Sequence, residues 1–119
     1  MSQRANEARN GGFQAQNGAK VRVLPAICDL PVPKVPDGVE LSPAERKQFR
    51  SIFRGPYGHY MDDAHAHEVC VYIKLTSAVL SGVASAWHAS ERTRLAHQLG
   101  LTPAGLKALG MRIETEDDA

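Results

Sequence analysis

The stretch Arg92-Thr93-Arg94-Leu95-Ala96-His97-Gln98-Leu99-Gly100-Leu101-Thr102-Pro103-Ala104-Gly105-Leu106-Lys107-Ala108-Leu109-Gly110 decides how this chain is read. Its stop and start signals come in the order helix, tight turn, helix. Gly100 suits the position just past a helix end, where a positive φ is needed. Thr102 is an N-cap and Pro103 fits the first helical position. Gly110 ends the second helix. Ala96 permits close approach, Gly100 turns the chain, and Leu106 pins the second helix, as a helix-turn-helix requires. Base reading also needs Arg, Lys, Asn or Gln at the groove edges, and residues 103–109 supply only Lys107. Arg92, Arg94 and the start of the last helix suit phosphates instead. A packed helical corner is the primary expectation. A helix-turn-helix regulator using residues 92–109 is the alternative.

Upstream lies a long apolar period. Asp62 and Asp63 suit a helix start, and the pattern continues to Trp87. Val69, Tyr72, Ile73, Thr76, Val79, Leu80, Val83 and Trp87 fall on one stripe roughly 120° wide at ~100° per residue. Val71, Leu75 and Ala78 make the opposite side only weakly polar. A helix covering residues 62–87 would be about 39 Å long at 1.5 Å per residue. One small domain rarely covers both sides of such a rod, so Val69, Tyr72, Ile73, Val79, Leu80, Val83 and Trp87 are expected at an interface between copies. Gly82 interrupts the pattern, and the helix breaks either there or at His88-Ala89-Ser90, the preferred hairpin turn.

Before it stands a short helix with clear punctuation. Ser42 is an N-cap, Pro43 opens the helix, and Glu45 completes a capping box. Gly55-Pro56 stops it. Phe49, Ile52 and Phe53 form its apolar stripe, while Arg46, Lys47, Arg50 and Arg54 hold positive charge on the remaining surface. Those four side chains suit phosphates without reading sequence.

The lead-in is extended. Pro25, Pro31, Pro33 and Pro36, with Pro43 beyond, deny the chain donors and fix φ. Residues 1–20 are polar, rich in Gln, Asn, Gly and Ala, and read as disordered. Val21-Arg22-Val23-Leu24 has strand character but no evident partner. The organisation is therefore a disordered tail (1–24), a Pro-rich arm (25–40), a helical oligomerisation domain (41–112) and an acidic tail (113–119). The fold class is all-α: a capped short helix, a long central helix in a hairpin with the next, and a short C-terminal helix.

Charge is asymmetric. The 119 residues carry 14 Lys/Arg and 13 Asp/Glu, yet residues 1–60 hold nine basic and five acidic groups and residues 61–119 five and eight. The two ends therefore suit different partners. No apolar run approaches the ~18 residues of a membrane span, and no export signal is evident, so a cytoplasmic protein is expected. Cys28 and Cys70 follow no metal or redox spacing. His65 and His67 would point about 160° apart on a helix, whereas helical ligand pairs sit at i, i+4. Neither phosphate-binding glycine loops nor a nucleophile elbow occurs. No catalytic residue, metal or cofactor is expected.

The order of parts resembles a known family. A Pro-rich lead-in (Leu30-Pro31-Val32-Pro33-Lys34-Val35-Pro36) precedes a capped helix (Leu41-Ser42-Pro43-Ala44-Glu45-Arg46-Lys47-Gln48-Phe49). An acidic start (Met61-Asp62-Asp63) opens the central helix, and Leu99-Gly100-Leu101-Thr102-Pro103 closes the pattern. Residues 30–112 thus resemble the small terminase subunits of tailed double-stranded-DNA phages, in the group with a closing Leu-Gly-Leu-Thr-Pro motif. The tryptophan expected in the first helix is replaced by Phe49 or Phe53, and the link between the long helices is short. The resemblance implies a non-enzymatic homo-oligomeric ring in the host cytoplasm. Such a ring binds viral DNA at the packaging site and recruits the large terminase subunit, which carries the ATPase and nuclease. On charge, DNA is expected on the basic short helix and N-terminus, and the large subunit on the acidic tail. A helical adaptor that binds no nucleic acid is a third reading.

Overall fold

The computed structural model describes residues 21–118, and the chain is mostly helical. The expected disorder of residues 1–20 lies outside the described residues. In order the elements are β1 (Arg22–Leu24), α1 (Pro43–Arg54), 3-10 turns at Pro56–His59 and Asp63–His65, α2 (Ala66–Leu80), α3 (Ala86–Gln98), α4 (Pro103–Ala108), β2 (Met111–Ile113) and a 3-10 turn at Glu116–Asp118.

Helix α1 starts where its capping residues place it. Ser42 Oγ accepts from Glu45 N at 3.1 Å, and Glu45 Oε1 accepts from Ser42 N at 2.9 Å. The same carboxylate reaches across to α2, accepting from Lys74 Nζ and Ser77 Oγ, both at 2.8 Å. One residue therefore caps α1 and fastens it to α2. Phe49 and Phe53 fill the space beneath, with ring centroids 5.0 Å apart. They join Leu24, Met61, Val69 and Ile73 as the most deeply buried large side chains.

The central helix is shorter than its period implies. It ends at Leu80, and Gly82 turns the chain at φ +79°. Any residue with a Cβ is strained at that angle. Helix α3 then restarts at Ala86, where Ser85 N donates to His88 Nδ1 at 3.2 Å. The break is therefore at Gly82, and the expected turn at His88-Ala89-Ser90 lies inside α3. The hairpin itself forms, with Arg92 as its clasp. Arg92 Nε donates to Thr76 Oγ1 and Nη2 to the Tyr72 hydroxyl, each at 3.0 Å, and the guanidinium carbon stands 5.1 Å from the Tyr72 ring centroid.

The corner from α3 to α4 follows its sequence signals. Gly100 adopts φ +76°, and Leu101 N donates back to Ala96 O at 2.9 Å. Thr102 Oγ1 accepts from Gly105 N at 3.0 Å. Gly105 is required by proximity, since a Cβ there would fall 2.3 Å from His97 O.

A two-stranded sheet corrects the all-α expectation. β1 and β2 pair in parallel, with Arg22 opposite Met111, Val23 opposite Arg112 and Leu24 opposite Ile113. The strand in residues 21–24 thus has a partner that local sequence does not reveal. The whole helical domain is the crossover that parallel pairing requires. This also corrects the division at residue 24, because Leu24 belongs to the core. The Pro-rich arm lies over the chain's own core. Cys28 and Leu41 are buried, and Val32, Val35 and Val39 pack against the cluster.

Of the acidic tail, residues 113–118 are held in place. Glu114 N donates to Leu24 O at 2.9 Å. Asp118 grips Arg112 through two hydrogen bonds of 2.7 and 2.8 Å. That contact holds the Asp118 carboxyl well below its ordinary range and raises the Arg112 guanidinium. Among the described residues no helix is long and apolar enough to cross a membrane.

Candidate nucleic-acid interface

The positive side chains of α1 follow from its helical period. At ~100° per residue, Arg46, Lys47, Arg50 and Arg54 lie within an arc of roughly 100°, beside the buried Phe49–Phe53 face. All four are exposed. Arg46 is turned back, its Nε donating to Leu41 O at 3.2 Å. Lys47, Arg50 and Arg54 line a groove of about 540 Å³ whose facing wall is Ala26 and Ile27. Among the described residues these three cations form no ion pair. Their charge faces solvent.

The wall of this groove is firmly built. Ala26 N donates to Glu114 Oε1 at 2.8 Å, and Ile27 O lies 2.9 Å from His59 Nε2. Cys28 N donates to Arg54 O at 2.8 Å. Three successive residues are thus held by the end of β2, the turn after α1, and α1 itself. Sequence reading misses this wall. Its only local sign is the apolar run Ala26-Ile27-Cys28 within the Pro-rich lead-in.

The other expected DNA contacts are elsewhere. Arg92 is spent on Tyr72 and Thr76 inside the hairpin. Arg94 pairs with Glu91 at 2.6 Å. Lys107 stands on α4, beside a cavity of about 510 Å³ that also involves Tyr57, Leu106, Met111 and Ile113. Helix α4 spans six residues and buries Gly105 and Leu106, while Pro103, Ala104, Lys107 and Ala108 face outward. Lys107 is its one outward side chain able to reach base edges.

The stripe expected at an interface between copies divides. Val69 and Ile73 are fully buried within one chain and Tyr72 nearly so, so they belong to the protomer's own core. The reason is that α3 folds back over them through the Gly82 turn. Val79 is half-buried. Leu80 and Val83 are each 82% exposed and Trp87 63%, leaving an apolar rim at the hairpin's turn.

Other titratable groups near the helix starts and in the core serve the fold or lie at the surface. His65 Nδ1 lies 3.1 Å from Asp62 Oδ1 and accepts from Asp62 N at 3.1 Å, as part of a turn start. His67 is exposed on α2. Burial pushes up the Cys70 thiol, which suits an inert core residue. Burial likewise raises the Tyr60 phenol, whose hydroxyl donates to Leu99 O and fastens the turn after α1 to the end of α3. Asp63 is an exposed helix-start residue. No known protein family, curated protein or solved structure matches the chain.

Proposed function

We propose that this chain is a non-enzymatic DNA-packaging subunit of the small terminase type, which binds viral DNA through α1 and assembles into a ring. The observation that carries the DNA-binding part is the cationic groove, where Lys47, Arg50 and Arg54 share one face without carboxylate partners among the described residues. Such a face holds phosphates and releases counterions, which supplies affinity without sequence. The order of the Pro-rich arm, capped basic helix, acidic helix start and Leu-Gly-Leu-Thr-Pro turn supports the packaging assignment. The exposed Leu80, Val83 and Trp87, gathered at the hairpin's turn, support self-association, since grouped apolar surface marks interaction sites. The acidic C-terminal segment is the proposed dock for the large ATPase–nuclease subunit.

The helix-turn-helix regulator reading has weaker support. Its recognition helix would be α4, with six residues and one reaching side chain. A regulator of that type also predicts a dimer on a palindromic site. Solution mass separates the two: a closed assembly of about eight or more copies is expected, and a stable dimer would overturn the packaging reading. Leu80→Ser combined with Trp87→Ser is expected to dissociate the assembly into folded protomers, because both side chains are already solvent-exposed in one chain.

A further inference from the structure

Ile27 is the unexplained residue of the cationic groove. It is 71% exposed, yet its loop is pinned at Ala26, Ile27 and Cys28 by Glu114, His59 and Arg54. Cys28, the next residue, is 3% exposed and anchors the loop in the core. Single exposed aliphatic side chains are ordinary on protein surfaces. This one differs in two respects: its backbone is fixed at three consecutive positions, and it faces Lys47, Arg50 and Arg54 across one groove.

We infer that Ile27 is an apolar wedge that enters the minor groove of duplex DNA while Lys47, Arg50 and Arg54 hold the flanking phosphates. The inference rests on the reading of the α1 groove as a phosphate-binding surface, and it assigns that surface a mode of contact. Duplex DNA presents what the groove needs, apolar base faces that open between steps of a cleft bordered by regular negative charge. The minor groove is about 6 Å wide, with phosphates along both edges. Arg50 and Arg54 stand one helical turn apart, about 6 Å along α1. Their long side chains reach successive phosphates of one strand, which recur every ~3.4 Å of axis. A rigidly held aliphatic group pressed between base steps unstacks them and bends the duplex by about 20–90°. A flexible loop would lose more freedom on insertion, and the three backbone bonds remove that cost in advance.

The test uses the full chain and a duplex of about 30 base pairs of mixed sequence, carrying a donor and an acceptor dye at its ends. Wild-type protein is expected to bind it and bring the ends closer. Ile27→Ala is expected to weaken binding about 3–10-fold and abolish most of the bend, with an unchanged slope of log affinity against log salt. The slope counts displaced counterions, and Ile27 carries no charge. Ile27→Leu is expected to keep the bend. Arg50→Ala with Arg54→Ala is expected to flatten the slope by nearly two. If Ile27→Ala bends and binds DNA as wild type does while the arginine variant loses its slope, the wedge is overturned and the phosphate surface stands. If the arginine variant keeps the full slope, or the wild type prefers an acidic peptide to the duplex, the reading beneath both is overturned. Unchanged thermal unfolding of Ile27→Ala verifies that the variant is folded.

Discussion

Helix α1 and helix α3, which leads into the corner with α4, both carry cationic residues, and their fates differ. On α1, Lys47, Arg50 and Arg54 face a groove without ion-pair partners among the described residues. On α3, Arg92 is folded into the hairpin against Tyr72 and Thr76, and Arg94 is paired with Glu91. The comparison teaches that positive charge in a sequence is not positive charge available to a polyanion. The residue pattern at the corner satisfies the steric needs of a helix-turn-helix, which are a small residue, a glycine turn and an apolar pin. The same residues make a tight packed joint, while of the charges nearby Arg92 clasps the α2–α3 hairpin and Arg94 pairs within α3.

Four experiments probe this difference between α1 and α3. The largest effect is expected on DNA. Lys47→Ala, Arg50→Ala and Arg54→Ala together should weaken duplex binding about 100-fold or more at low salt and reduce the salt slope by nearly three. Arg94→Ala and Lys107→Ala should change affinity less than about threefold in the same titration. Equal losses from the two regions would erase the distinction. The next effect is on stability. Gly105→Ala puts a methyl group 2.3 Å from His97 O, so the joint between α3 and α4 must open. A loss of about 2–3 kcal/mol in urea unfolding is expected, in the range of overpacked sites.

Arg92→Ala is a smaller perturbation. It removes two side-chain hydrogen bonds and the stacking on Tyr72. About 1–2 kcal/mol of stability should be lost, with DNA affinity unchanged. An equal stability loss from Arg94→Ala would contradict the division between clasp and surface pair. The smallest effect is a pH dependence in the tie between α1 and α2. Hydrogen bonds from Lys74, the Ser42 N–H and the Ser77 hydroxyl lower the Glu45 carboxyl from 4.5 to about 2. In the unfolded chain it titrates near its ordinary value. Its stabilisation is therefore complete above about pH 4.5 and is lost as the pH falls towards 2. Because Lys74 is half-exposed, solvent screening leaves about 1 kcal/mol rather than the full linkage value. Glu45→Gln should flatten stability across that window, as measured by urea unfolding at successive pH values.

What was legible in the chain was local. Ser42, Pro43 and Glu45 announced α1, and Gly100, Thr102 and Pro103 announced the last corner, because capping and turn chemistry act within a few residues. The basic face of α1 was legible for the same reason. The groove wall was not, since Ala26 and Ile27 are set by Glu114 and His59, which are 88 and 32 residues away. The partner of β1 was invisible because Met111–Ile113 follows a helix and is only three residues long. The period from Val69 to Trp87 was misleading over its second half. Leu80, Val83 and Trp87 continue the phase of the buried stripe, yet the chain reverses at Gly82. A period records spacing and carries no information about a turn inserted between in-phase residues. Glu45 was legible as a cap, but its second role depends on Lys74 and Ser77 arriving from α2.

The parallel pairing of β1 with β2 also sets when the fold can be completed during synthesis. Leu24 emerges from the ribosome long before Ile113, its partner. At about 5–20 residues per second, roughly 90 residues separate them by some 5–20 seconds. During that interval the first strand has no ladder to join, and its apolar residues must wait. The helical hairpin can form meanwhile, because its contacts are local and close quickly. The last-made strand then completes the body and also sets Glu114 against Ala26. A nascent chain stalled before Met111 would therefore carry the whole positive face of α1 but lack the Glu114 tie that completes the groove wall.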